Sequence, residues 1–88
     1  MNNGKKDVII FLIELKKLHN DERLNKFIQN TFEFVEEDEH GIGFEILLEN
    51  LYEFDISINQ NLFEIAKSAV QKMKMNWDDW KFIQELVK

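Results

Sequence analysis

Apolar residues recur at intervals of three and four along most of this 88-residue chain, the spacing that gathers them on one face of an α-helix. The clearest example is a helix that ends near residue 54, whose apolar face is formed by Phe44, Leu47, Leu48 and Leu51. At about 100° per residue, a row of carboxylates lies beside that face. The row consists of Glu45, Glu49 and Glu53. Tyr52 lies on its border with the apolar face, and Ile46 lies just past its far edge. We expect this helix both to hold a bundle together and to meet a partner.

Two further helices are predicted before this one. The first covers about residues 5–18 and is expected to be central, because its apolar positions cover most of its circumference. Those positions are Val8, Ile9, Phe11, Leu12, Ile13 and Leu15. A short buried strand at residues 8–10 is the alternative, since that run is β-branched. The second helix runs from an N-cap at Asn20 or Asp21 to about Glu37, and Gly41 is expected to supply the left-handed residue that ends it.

Two more helices are predicted after it. Asn59 is a suitable N-cap for a helix that ends near residue 73, and Ile58 and Phe63 would form a hydrophobic staple across its start. Asn76 is expected to cap a last helix that packs back on the others. All the elements are helical and their connections are short. The predicted fold class is therefore all-α, a small bundle of four to five helices.

The composition fits one folded domain over residues 1–88. An apolar content of 44%, with 12% aromatic residues, is too high for a disordered chain. The chain has no Cys, which excludes disulfides and Cys-based zinc sites. The longest apolar run, residues 8–13, is far too short for a membrane span or a signal-peptide core. A soluble cytoplasmic protein is therefore expected.

Negative charge is concentrated in the middle of the chain. The net charge is −6, but residues 27–66 carry ten Asp and Glu and no Lys or Arg, whereas each flanking segment has a balance of +2. The densest run is Glu36, Glu37, Asp38 and Glu39. It lies at the C-terminus of the second helix, where the helix dipole disfavours it. This charge argues against binding nucleic acid or an anionic membrane through this surface and is compatible with a basic protein partner.

Signals for catalysis or metal binding are weak. His19 is expected to be a helix C-cap and dipole partner, and His40 a solvated surface residue. The Gly41-x-Gly43 pair lacks the third glycine of a nucleotide-binding fingerprint and is interpreted as a turn. The run Glu36-x-Asp38-x-His40-Gly41 has the spacing of a calcium loop, but with Gly41 at the sixth position Leu47 falls at the twelfth, where a bidentate Glu is required. Glu45 and Glu49 lie on one helix face and share an environment, whereas the two catalytic carboxyl groups of a glycosidase need different environments in a cleft. We predict no enzyme activity, cofactor or metal.

The segment Gly41-Ile-Gly-Phe-Glu-Ile-Leu-Leu-Glu-Asn-Leu-Tyr-Glu-Phe-Asp-Ile-Ser-Ile58 resembles the centre of MafI-type immunity proteins, and the likeness covers about residues 37–63. Members of that family are small acidic helical proteins that neutralise MafB polymorphic toxins, and related proteins protect against contact-dependent inhibition toxins. The resemblance implies a cytoplasmic antidote encoded beside its toxin. It also implies that the toxin is a nuclease in many cases, EndoU-like ribonucleases among them.

The charge pattern and the resemblance lead to one hypothesis, in which acidic side chains fill the basic substrate groove of a toxin in place of RNA phosphates. The residues expected to bind are Glu36, Glu37, Asp38, Glu39, Glu45, Ile46, Glu49, Tyr52 and Glu53. Binding away from the active site, with steric blockage of the substrate, is an equal alternative. A rival class is a helical adaptor or regulator that docks on a basic partner or self-associates through Ile46 and the pair Trp77 and Trp80.

Overall fold

A computed structural model describes residues 3–88 of the protein. Four α-helices make up most of them: α1 (Lys5–Leu18), α2 (Glu22–Glu36), α3 (His40–Glu53) and α4 (Gln60–Lys72). Two short 3-10 helices follow, Trp77–Asp79 and Lys81–Leu86. Within residues 3–88 there is no extended strand, only an isolated parallel bridge. The all-α prediction is confirmed, and the alternative of a strand at residues 8–10 is wrong because those residues lie in α1.

Helix α1 is central, as its apolar pattern predicts, and packs against α2, α3 and α4. The side chains of Val8, Phe11, Leu12 and Leu15 are completely buried. The expectation that Ile13 widens this face is wrong, since its side chain is 46% exposed. Two residues after Phe11, it lies about 200° further round the helix and so points away from the core.

Short polar side chains begin α2 and α4, as predicted. The Asp21 carboxylate accepts hydrogen bonds from the backbone N–H groups of Arg23 and Leu24, at 2.8 and 3.1 Å. The Asn59 side-chain oxygen accepts from the Leu62 N–H at 2.8 Å. Each cap satisfies N–H groups that have no partner inside the helix. These two helix starts are therefore determined locally by the sequence.

The C-terminal segment is not the single α-helix expected from the cap at Asn76. The Asn76 side chain does accept a hydrogen bond from the Asp78 N–H at 3.1 Å, but the helix it starts is a 3-10 helix of three residues. The chain end then pairs with the loop before α4: Ile58 donates to the Leu86 carbonyl at 2.9 Å, and Lys88 donates to the Ile58 carbonyl at 3.0 Å. A 3-10 helix rises about 2.0 Å per residue against about 1.5 Å for an α-helix, so this segment spans a longer distance than an α-helix with the same number of residues.

Helices α2, α3 and α4 all end in the same backbone motif. Asp38, Asp55 and Lys74 follow them in the left-handed conformation, with φ of 60°, 50° and 60°. After α2, the Glu39 N–H donates to the Phe34 carbonyl at 2.8 Å, the six-to-one bond of a Schellman motif. The prediction that Gly41 ends α2 is therefore wrong. Asp38 takes that role, and Asp is among the non-glycine residues that tolerate this conformation best.

Replacing Lys74 with glycine is expected to stabilise the protein by about 0.5–1 kcal/mol, because glycine adopts the left-handed conformation without steric cost. Thermal unfolding followed by circular dichroism would show the melting temperature rising by roughly 3–6 °C in a domain of this size. Gln71→Gly is the matched control: Gln71 is exposed in the last turn of α4, where glycine should lower the melting temperature. If the melting temperature falls in both variants, then the left-handed conformation of Lys74 does not cost stability.

The α2–α3 hairpin is closely packed at Gly43. The interpretation of Gly41-x-Gly43 as a turn is wrong, since both glycines lie in the first turns of α3. A Cβ at position 43 would lie 2.6 Å from the Phe34 Cβ, whereas one at position 41 would have only the Met73 Sδ near it, at 3.6 Å. Gly43 therefore allows α2 and α3 to approach closely beside the acidic end of α2.

Candidate functional site

The acidic end of α2 forms a solvent-exposed cluster of carboxylates. Glu36, Glu37, Asp38 and Glu39 are all exposed, and the α2–α3 connection displays them at one end of the hairpin. Three of them line a shallow groove of about 320 Å³ together with Glu33. The other residues that line this groove are Asn30 and Phe34. The predicted acidic run is thus joined by a carboxylate that the prediction left out.

The outward face of α3 adjoins this cluster. Ile42, Ile46, Glu49 and Glu53 follow one another at i, i+4, i+7 and i+11, which places them along one side of the helix, opposite the buried residues. Ile42 and Ile46 are 51% and 36% exposed. We call these four residues the α3 face. Two neighbouring isoleucines on a helix exposed to solvent, with carboxylates along the same line, have the composition of a binding surface.

Three of the predicted binding residues, Asp38, Glu45 and Tyr52, have neighbours within the protein that make them less available to a partner. Lys5 Nζ lies 3.4 Å from Asp38 Oδ1, although both side chains are exposed and such pairs are weak. Glu45 is half-buried and lines a different groove, of about 570 Å³, with lysines 72 and 74. The Tyr52 ring packs edge-on against Phe82 with centroids 4.8 Å apart. The uninterrupted acidic surface is therefore smaller than the sequence suggested.

His40 is buried, and its prediction as a solvated surface residue is wrong. Only 8% of it is exposed, and its Nε2 lies 3.2 Å from the Asn3 carbonyl. Because a carbonyl only accepts, Nε2 carries the proton and donates, which leaves the buried Nδ1 without a hydrogen-bond partner. The chain before α1 therefore contacts the start of α3 at His40, and it also lies against the end of α4, where a Cβ at Gly4 would meet Met73. This long-range packing has no signal in the sequence around His40.

His19 has a structural role at the C-cap of α1. Its backbone N–H donates to the Leu15 carbonyl at 3.2 Å, which agrees with the predicted capping position. Its ring is used differently from the expectation: Nε2 lies 2.6 Å from the Ser57 carbonyl and donates to it. The histidine thereby ties the end of α1 to the loop before α4.

The tryptophan pair anchors the C-terminal segment to the bundle. Trp77 packs against Phe63 with ring centroids 5.5 Å apart, and Trp80 packs against Phe82 at 5.9 Å. Both tryptophans are half-buried. Each ring is therefore only partly open to a partner, whereas the adaptor alternative uses this pair as a contact surface.

The described part of the chain holds no group of three or more His, Asp or Glu side chains arranged to bind a metal ion. None of the helices in residues 3–88 has the length and apolar character needed to cross a bilayer. The candidate site is the exposed surface of the α2–α3 hairpin, where most of the predicted binding residues lie.

The protein is an all-α bundle with a carboxylate-rich surface on one helical hairpin. A scan against protein-family models and searches of curated proteins and of solved structures gave no match to this chain. The resemblance of residues 41–58 to MafI-type immunity proteins therefore stays a prediction.

Proposed function

We propose that this protein is an immunity protein that binds and neutralises a basic toxin domain, such as a nuclease, through the acidic end of α2 and the α3 face. The observation that carries the proposal is the position of two exposed isoleucines, Ile42 and Ile46, beside carboxylates in a segment of forty residues without Lys or Arg. A basic protein surface with an apolar centre is the partner that such a surface fits.

The carboxylates and the isoleucines have different tasks in this proposal. Exposed carboxylates attract a basic partner over a distance and raise the association rate, by about 10- to 1,000-fold in steered complexes. Burying the exposed halves of Ile42 and Ile46 contributes about 1 kcal/mol each, because full burial of such a side chain is worth about 1.5–3 kcal/mol. Contacts of this kind act mainly on the dissociation rate.

Inhibition would follow from occupation of the toxin's substrate groove. A nuclease holds its substrate through basic side chains that neutralise phosphates. The carboxylates of Glu33, Glu36, Glu37 and Glu39 line one groove and would occupy such phosphate positions. The protein would act in the cytoplasm of the cell that makes the toxin, because a nuclease harms its producer there.

The test is growth rescue in a cell that expresses the C-terminal domain of the protein encoded directly upstream, where the proposal expects a toxin. Co-expression of the wild-type protein should restore growth, and the double variant Ile42→Asp with Ile46→Asp should fail to do so. The matched control is Ile13→Asp, because Ile13 is a similarly exposed isoleucine on α1. Absence of rescue by the wild-type protein would contradict the immunity function.

A further inference from the structure

Helix α1 carries an exposed apolar pair that the proposed function does not use. Lys6, Ile10, Ile13 and Lys17 follow one another at i, i+4, i+7 and i+11, on the side of α1 opposite its buried residues. Ile10 and Ile13 are 36% and 46% exposed, and both lysines are exposed. We call these four residues the α1 face. It is a pair of isoleucines with a cation one turn away at each end.

The α3 face, together with Glu39 at the N-cap of α3, has the complementary arrangement. Its isoleucine pair, Ile42 and Ile46, has Glu39 about one turn before it and Glu49 about one turn after it, and both carboxylates are exposed. At about 1.5 Å per residue, the distance from the first charge to the last is about 17 Å on α1 and about 15 Å on α3. Apolar pairs and opposite charges therefore coincide when the two helices lie side by side in either direction.

We propose that the protein self-associates weakly and head to tail, with the α1 face of one copy packed on the α3 face of the next. The isoleucine pairs of the two helices pack together, and Lys6 and Lys17 face Glu39 and Glu49 of the neighbouring copy. Lys17 also lies 3.5 Å from Glu14 of its own helix, but this is an exposed pair that exchanges its partner easily.

The geometry determines the kind of assembly. A single contact between the α1 face of one copy and the α3 face of another is heterologous, and it leaves one α1 face and one α3 face free in each dimer. Further copies add to those free faces as the concentration rises. The apolar contact consists of four half-exposed isoleucines, which is small compared with a stable interface, and the assembly is therefore transient.

Self-association would also regulate access to the α3 face. A second copy and a basic partner would compete for the same isoleucine pair, so that the partner displaces the neighbouring copy as it binds. This consequence alone rests on the proposed function. The self-association itself is tested with the purified protein and no partner.

The experiment is sedimentation analysis of two double variants, each with one face removed. Ile10→Ser with Ile13→Ser removes the α1 face, and Ile42→Ser with Ile46→Ser removes the α3 face. The wild-type protein should form dimers and larger species between about 10 μM and 1 mM, and less at about 0.5 M salt, where charge interactions are screened. Each double variant alone should stay monomeric at 10.6 kDa.

A mixture of the two double variants distinguishes a contact between the α1 and α3 faces from a contact between two identical faces. Each variant keeps the face that the other lacks, so the mixture should form a 1:1 dimer of twice 10.6 kDa and nothing larger.

Leu18→Ser is the matched control, since Leu18 is 43% exposed on α1 but lies off the α1 face, and it should associate like the wild type. Circular dichroism checks that each variant is folded. If the α1-face double variant loses helicity, the single variant Ile13→Gln takes its place. If the α3-face double variant does, Ile46→Gln takes its place.

Two results would overturn the proposal. One is a wild-type protein that stays monomeric over the whole concentration range in low salt. The other is a double variant that still self-associates alone, because this would place the contact on a different surface or between two identical faces.

Discussion

Replacing Gly43 with alanine is expected to destabilise the fold by about 2 kcal/mol, even though alanine is the better helix former by about 1 kcal/mol. The added methyl group would lie 2.6 Å from the Phe34 Cβ and 3.0 Å from its Cγ. The backbone fixes the position of the Phe34 Cβ, so a rotamer change cannot remove this clash, and α2 and α3 must separate. Thermal unfolding should show a melting temperature about 8–16 °C lower than that of the wild type.

Gly41→Ala is the control for this prediction, because it introduces the same residue into the same helix only two positions earlier. A Cβ at position 41 makes an ordinary contact with Met73 Sδ at 3.6 Å, so the gain in helix propensity should remain. The variant should be about 0.5–1 kcal/mol more stable than the wild type. Equal stabilisation by both alanines would show that the α2–α3 contact does not depend on a glycine at position 43.

Reversing two charges in the acidic groove is expected to slow binding of the proposed toxin partner by about tenfold at low salt. The double variant is Glu36→Lys with Glu39→Lys. Both side chains are exposed and line the same groove, so they should act on the encounter between the partners and not on the fold. Stopped-flow or surface-based kinetics would measure the association rate constant. The difference from the wild type should shrink as salt is added.

Glu64→Lys with Asp79→Lys is the matched control for the charge reversal. It changes the net charge by the same amount, but its exposed positions lie on α4 and in the C-terminal segment. If the association rate falls equally in both double variants, then total charge and not the acidic end of α2 attracts the partner.

The sequence predicts the features of this fold that depend on neighbouring residues. The caps at Asp21 and Asn59 and the buried face of α1 follow from side chains within one or two helical turns. The start of α3 was missed because two glycines resemble a turn, and only the packing of Phe34 explains why Gly43 lies in a helix. His40 was misplaced for a similar reason, since Asn3, far away in the chain, covers it.

The sequence predicts the candidate site in outline. The errors in that prediction also come from the glycine pair and from contacts between distant parts of the chain. Helical spacing places Ile46, Glu49 and Glu53 on the outside of α3 correctly. Ile42 was overlooked because it lay in the supposed turn, although its position four residues before Ile46 would have revealed it. The contact between Lys5 and Asp38 joins distant parts of the chain, so the local charge pattern gives no sign of it.

Backbone amide NMR of the protein, free and bound to the proposed toxin partner, would show directly which helices form the binding surface. The largest chemical-shift changes should fall in residues 33–53, at the end of α2 and along α3. The exposed side of α4 and the 3-10 helices should change little. Shift changes concentrated on α4 or on the C-terminal segment, with α3 unaffected, would contradict the claim that the α2–α3 hairpin binds the partner.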